Sequence, residues 1–396
     1  MLIRLSAVWC PWCSAFGRDL RLEVLLTPEH GVLRPGVTLL LEPPCCLCHT
    51  APMMIRFLSL SVFCCLVLAC SSTPPVEEVE PDHGAGTVIR HSPELDAIVP
   101  VDYTIEKLDD GFEFIEGPVW VKDPGYLLFS DVRGDTIYKW APGAKSEPFL
   151  RPVYSGPPLE NPGAIGPNGL TIDGEGNLVI LEYGNRRVTR MPLAGGDREI
   201  LADKFEGKRF NHPNDLVLHS SGALYFTDPP LGRAGEDKPP EQELDFAGVY
   251  RLDPDGELTL SSTELKRPNG IALSLDEKTL YVANTDRERL IWMAWDVQPD
   301  GSITNGRVFF DATDMEGSGV PDGMKLDSEG NLYCTGPGGV LIFSPEGQHL
   351  GTIQPTEQPS NVAWGDADGK TLYMTARTGL YRIRLNIQGL LPVGVR

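Results

Sequence analysis

A short motif built around a side-chain amide or carboxylate recurs along this chain at intervals of roughly 40 to 55 residues. Its copies read Pro167-Asn168-Gly169, Pro213-Asn214-Asp215, Pro268-Asn269-Gly270, Pro321-Asp322-Gly323 and the weaker Ser360-Asn361-Val362. A sixth, at the front, is Glu116-Gly117-Pro118-Val119-Trp120, where a carboxylate takes the place of the amide. Behind each copy come an apolar alternating segment, a turn rich in Gly, Asp or Asn, and a second strand-like run. A period of this length with about four strand-sized runs per unit is the sequence form of a β-propeller blade. Blades are arranged about an axis, so equivalent positions converge on it. The repeat therefore predicts a ring of Asn, Asp and Glu oxygens facing one another in a central channel. One Pro-Asn-Gly alone is ordinary turn chemistry; the in-phase series argues against that.

No stretch shows a sustained helical period, and the Gly and Pro residues (42 and 35) fall between short β-like runs. An all-β chain is expected. Six blades over about 285 residues give about 47 per blade, the usual size of a four-stranded unit. The strand near Tyr103 to Lys107 is expected to close the ring by pairing with the last blade near Gly379 to Leu385. The net charge of −21 excludes a basic nucleic-acid face and adsorption to anionic lipid. Eight of the nine Cys lie at or before position 70, leaving Cys334 alone in the propeller, where it is expected to be buried and inert.

Other chemistries find little support. Asp173 to Asn177, Asp253 to Gly256, Asp327 to Asn331 and Asp366 to Gly369 begin like calcium loops but lack the twelve-residue continuation, and read as hairpin turns. No Gly-x-Ser-x-Gly elbow exists for a serine hydrolase, and no His-Glu-x-x-His for a zinc enzyme. Of the propeller's His212, His219 and His349, only His212 sits near the predicted ring, two places before Asn214.

Several segments together resemble bacterial gluconolactonases of the senescence-marker-protein (regucalcin) and gluconolactonase family of six-bladed propellers. They are Glu116 to Trp120, Tyr183-Gly184-Asn185-Arg186-Arg187-Val188, Asn211-His212-Pro213-Asn214-Asp215-Leu216, Tyr225 to Pro230 and Pro321-Asp322-Gly323-Met324. The likeness runs in order from about residue 102 to 388 and stops short of the first hundred. It implies a bound divalent cation and hydrolysis of a sugar lactone such as glucono-1,5-lactone to the aldonic acid. Glu116, Asn214, Asn269 and Asp322 take the places of the family's metal ligands. Asp322 takes that of the general base, with Glu116 able to exchange roles with it. Asn168 and His212 are assigned to orienting substrate, and Glu182, Tyr183 and Asn185 to the mouth of the site. The all-oxygen ligand set suits calcium, with zinc, manganese or magnesium as substitutes. Two alternatives stay open at this point: another ester or phosphotriester as substrate, and a non-catalytic calcium-binding or ligand-sensing protein. Substrate specificity is expected from the loops Tyr154 to Pro167 and Leu231 to Phe246, and the propeller is expected to be a monomer.

The front of the chain is a separate matter. Met54-Ile55-Arg56 followed by about 13 mainly apolar residues has the length of a signal-peptide core and is too short to span a bilayer. Leu66-Val67-Leu68-Ala69-Cys70 resembles a lipobox, so residues 53–70 read as a lipoprotein signal with Cys70 lipidated and the protein facing the periplasm. Such a signal must be N-terminal, so residues 1–52 read as an over-extended start, their Cys10-Pro11-Trp12-Cys13 lacking the βαβ setting of a redox pair. Residues 71–101 read as a flexible tether, 102–388 as the propeller and 389–396 as a tail.

Overall fold

The structure is a computed structural model that describes residues 83–157, 163–230 and 242–392. The signal segment, Cys70, residues 1–52 and parts of both specificity loops lie outside the described residues. Six sheets of four or five strands follow one another along the chain, with a two-stranded ribbon, Lys204–Phe205 and Lys208–Arg209, between the second and third. The first blade holds Ile115–Val121, Tyr126–Asp131, Thr136–Trp140 and Glu147–Leu150, and the second Pro167–Ile172, Asn177–Glu182, Arg187–Pro192 and Glu199–Ala202. The third holds Leu216–Leu218, Leu224–Asp228, Gly248–Leu252 and Leu258–Ser262, and the fourth Pro268–Leu273, Thr279–Asn284, Ile291–Val297 and Ile303–Asp311. The fifth is built on Met324–Leu326, Leu332–Gly336, Gly339–Phe343 and His349–Pro355, and the sixth on Asn361–Gly365, Thr371–Ala376 and Gly379–Arg384. Each inner strand packs on the inner strand of the next blade, and the sixth packs on the first. The ring is closed.

Closure follows the expected route. Ile105–Asp110 supplies the outermost strand of the sixth blade, with Ile105 opposite Ile383 and Asp110 opposite Gly379. A strand from before the first blade and the last strand of the propeller are thereby joined in one sheet, each covering an edge of the other.

Two boundaries are corrected. The segment read as a tether includes Gly86–Arg90, which pairs antiparallel with His349–Pro355 as a fifth strand on the fifth blade. A short helix, Leu95–Ile98, follows, and Leu95, Ile98 and Val99 are buried in the cluster shared by the last two blades. These are apolar residues at i, i+3 and i+4, a pattern too short to stand out in the sequence. The C-terminal segment is likewise attached: Gly389 donates to the Gly369 carbonyl and Leu390 to that of Leu326.

Six apolar clusters fill the gaps between neighbouring blades, one per gap. In the strand Asn177–Glu182, Leu178 and Ile180 face the first blade while Val179 and Leu181 face the third. Strands in the middle of blades are therefore buried along their whole length rather than on alternate residues, as in Tyr126–Asp131 and Leu224–Asp228. Each fully buried Leu, Ile, Val or Phe contributes about 1.5–3 kcal/mol. Among them sits the free Cys334, its thiol pushed far up by burial. The four Asp-rich segments are hairpin turns: Gly176, Gly256, Gly330 and Gly369 take positive φ and donate to the carbonyls of Asp173, Asp253, Asp327 and Asp366.

Candidate active site

The ring residues sit where the innermost ladder is irregular. Register shifts fall between Glu116 and Val119, Pro167 and Leu170, and Pro268 and Ile271. Such bulges free backbone N–H groups from the ladder and re-aim side chains. Several ring side chains take up the N–H of the following residue: Gly117 donates to Glu116 Oε2 (2.8 Å), Leu216 to Asp215 Oδ1 (2.8 Å) and Val362 to Asn361 Oδ1 (2.9 Å).

Glycine after the ring residue is a packing requirement. A Cβ on Gly117 would stand 2.0 Å from the Asn168 carbonyl oxygen, on Gly169 2.8 Å from that of Asn214, and on Gly270 2.0 Å from that of Asp322. On Gly323 it would meet the Asn361 side chain at 1.9 Å. At these four junctions the ring residue thus lies against the glycine of the blade before it. The third blade carries Asp215 in that phase.

Glu116, Asn168, Asn214 and Asn269 are 4–6% exposed, and Asp322 is partly exposed. The Asn269 side chain hydrogen-bonds Asp322. Burial is the main force raising the Glu116 carboxyl to about 7; the Gly117 N–H opposes it, nearby Asp215 adds to it, and Asn361 and Lys325 oppose it. Asp322 is held well above the usual carboxylate range by burial first, then by the charges of Glu116 and Asp215, against the bond from Asn269. Below the ring the channel opens into a cavity of about 220 Å³ lined by Trp120, Thr171, Val217, Ala272 and Trp364, with Lys325 as a cation in its wall.

His212 is 7% exposed and stacks on Tyr183 with ring centroids 4.4 Å apart. Its loop is held from below: the Asn211 N–H donates to Asp228 Oδ2, and the Asn211 amide to the carbonyls of Asp228 and Phe246. Glu182 departs from its expected place at the mouth. It is fully buried, with Oε1 accepting from Thr189 and Arg198 and Oε2 from Asn185 and Arg187. A carboxylate so paired braces the blade and has no face left for substrate. Asn185 shares in this, bonding to Val153 and Ser155.

Asn361, the weaker copy of the repeat, does belong to the ring, though sequence reasoning assigned it no role of its own. One residue of the channel was missed: Asp215, a third carboxylate beside Glu116 and Asp322. The signal for Asp215 was present: it is an acid where four other copies have Gly.

The donors available are all oxygens. Asn168 Oδ1 is buried without a hydrogen-bond partner, and both bonds to Glu116 go to Oε2. Among the described residues no three His, Cys, Asp or Glu side chains alone form a metal-holding group. The ring instead mixes carboxylates with amides, a set whose chemistry fits a hard cation, which Glu116, Asn214, Asn269 and Asp322 would hold.

A closed six-bladed propeller with acids and amides gathered on its axis defines the class of protein. The chain matches the SMP-30/gluconolactonase/LRE-like region over residues 114–378 and belongs to that family. It is 38% identical over 315 residues to a gluconolactonase of Zymomonas mobilis, covering 77% of this chain and 87% of the relative. It is 27% identical over 270 residues to the pentonolactonase of Haloferax volcanii, covering 67% and 81%. Among solved structures, a gluconolactonase from Xanthomonas campestris superposes with a TM-score of 0.66 at 31% identity, over 75% of this chain and 94% of that one.

Proposed function

We propose that this lactonase opens a sugar lactone of the glucono-1,5-lactone type to its aldonic acid at the channel ring, with calcium as the bound cation. The observation that carries the reading is the gathering of Glu116, Asn269 and Asp322 around one channel, in a family whose relatives are named for lactone hydrolysis. When bound, a divalent cation would supply Lewis-acid polarisation of the carbonyl and offset the repulsion among the ring carboxylates. Asp322 takes a proton from the attacking water and returns it to the ring oxygen as the ester C–O bond breaks. Such a base contributes roughly 10²- to 10⁴-fold. Glu116 acts mainly as a ligand, while Asn168 and His212 orient the sugar hydroxyls.

The test is a hydrolysis screen of the purified protein on sugar lactones, acyl lactones and phosphotriesters, with and without chelator. Chelator-sensitive turnover of a sugar lactone is the expected result. Activity on none of the three classes would overturn the reading in favour of a binding protein. On the sequence signal alone, we also propose that the protein is a periplasm-facing lipoprotein anchored through Cys70.

A further inference from the structure

Asn361 joins three blades through one amide. Its Nδ2 lies 3.0 Å from Glu116 Oε2 and 3.3 Å from Asp215 Oδ2, while its Oδ1 accepts the Val362 N–H at 2.9 Å. Those partners fix the orientation of the amide, because the flipped form would set its oxygen against two carboxylates. Asp215 is itself held, its Oδ1 accepting the Leu216 N–H. All three side chains are 2–4% exposed, so the bridge is made away from bulk water, where charge-assisted bonds are strong. The consequence for Glu116 is asymmetric. Oε2 takes the N–H of Gly117 and the amide of Asn361, and among the described hydrogen bonds none reaches Oε1.

Taking the ring as a cation site, as above, we propose that Asn361 and Asp215 are positioning residues for Glu116. Their bridge turns Oε2 to the protein and offers Oε1 to the cation. Without it, the carboxylate has to be ordered by the cation itself, and Oε2 is left short of a donor. Asn361 carries no charge, so replacing it with another neutral residue isolates this role from electrostatic attraction.

The experiment uses the full-length protein with terbium as a luminescent probe and calcium as competitor. Lifetimes in H₂O and D₂O count the waters on the bound ion. Asn361→Leu, and Asn361→Ala should the bulkier variant fail to fold, are expected to bind roughly 10- to 100-fold more weakly. They should also show at least one additional bound water. Wild-type affinity and lifetime in a variant with a cooperative melt would overturn the role of Asn361. Asp215→Asn should cost less in the Asn361→Leu background than alone, since without the bridge Asp215 acts by charge only. Equal costs in both backgrounds would overturn its part. A wild-type protein that bound neither ion would defeat the cation reading itself, and this inference with it.

Discussion

Gly270 in the fourth blade lies so close to Asp322 in the fifth that a Cβ on it would stand 2.0 Å from the Asp322 carbonyl oxygen. Both belong to the innermost layer, where neighbouring blades press together. Gly270→Ala must therefore push Asp322 out of place. A loss of about 1–3 kcal/mol in denaturant unfolding is expected, together with a fall in lactone turnover. Gly174 is the control, since its Cβ would meet nothing within 4 Å. Gly174→Ala should stay within about 0.5 kcal/mol of wild type.

Asp322→Asn keeps an oxygen in the ring and removes the proposed base. At saturating calcium its kcat should fall by roughly 10²- to 10⁴-fold with the melting profile preserved. Steady-state kinetics on glucono-1,5-lactone decide this. A wild-type rate in the fully loaded variant would exclude Asp322 as the base.

Calcium at a hundred times its Kd should stabilise the wild type by about 2.7 kcal/mol against chelated protein. Glu116→Gln should lose most of that gain. In chelator at pH 8 the same variant should melt above the wild type, because it removes a carboxylate whose ionisation burial, and after it the charge of Asp215, disfavours, holding Glu116 up to about 7. Thermal melts of both proteins with calcium and with chelator give the comparison.

Asp228 is fully buried, and burial raises its carboxyl from 3.8 to about 7 against the N–H groups of Asn211 and His212 and the charge of Arg186. Between those values the folded protein holds a proton that the unfolded chain has released. The stability this confers is complete below pH 3.8 and is lost as pH rises through about 7. Asp228→Asn keeps an acceptor for the Asn211 N–H and has no charge to bury. Its advantage over the wild type should grow from near zero at pH 3.5 to on the order of 2–4 kcal/mol at pH 8. Unfolding curves across that range with no growing gap would contradict it.

Cys70→Ala should move the protein from the membrane to the soluble fraction, or stall its processing. Each buried acyl CH₂ contributes about 0.8 kcal/mol, so losing the chains removes the anchor. Unchanged partitioning on cell fractionation would exclude lipidation at this residue.

The ring was legible in the sequence because closure about an axis forces the same chemistry onto every blade at the same phase. Asn168, Asn214, Asn269 and Asp322 announce themselves by recurring beside Pro, and Gly169, Gly270 and Gly323 by the tight contact each makes with the next blade. Glu182 was misplaced for the opposite reason. Its partners, Arg187 and Arg198, come from the third strand of its own blade and the turn leading into the fourth, and no repeat marks them.

What the sequence determined by itself is the local and periodic part: strand-sized runs, the turns at Gly176 and Gly256, the oxygen at each inner strand, and the family. Tertiary structure alone decided which of those oxygens meet. Asn361 and Glu116 are 245 residues apart and touch only because the last blade docks on the first. Asp215 joins them only because the third blade's inner strand faces the same channel. Gly86–Arg90 finds its edge more than 260 residues away, on the fifth blade. Such contacts carry no local pattern, since a hydrogen bond across a channel constrains distance in space and leaves the spacing along the chain free.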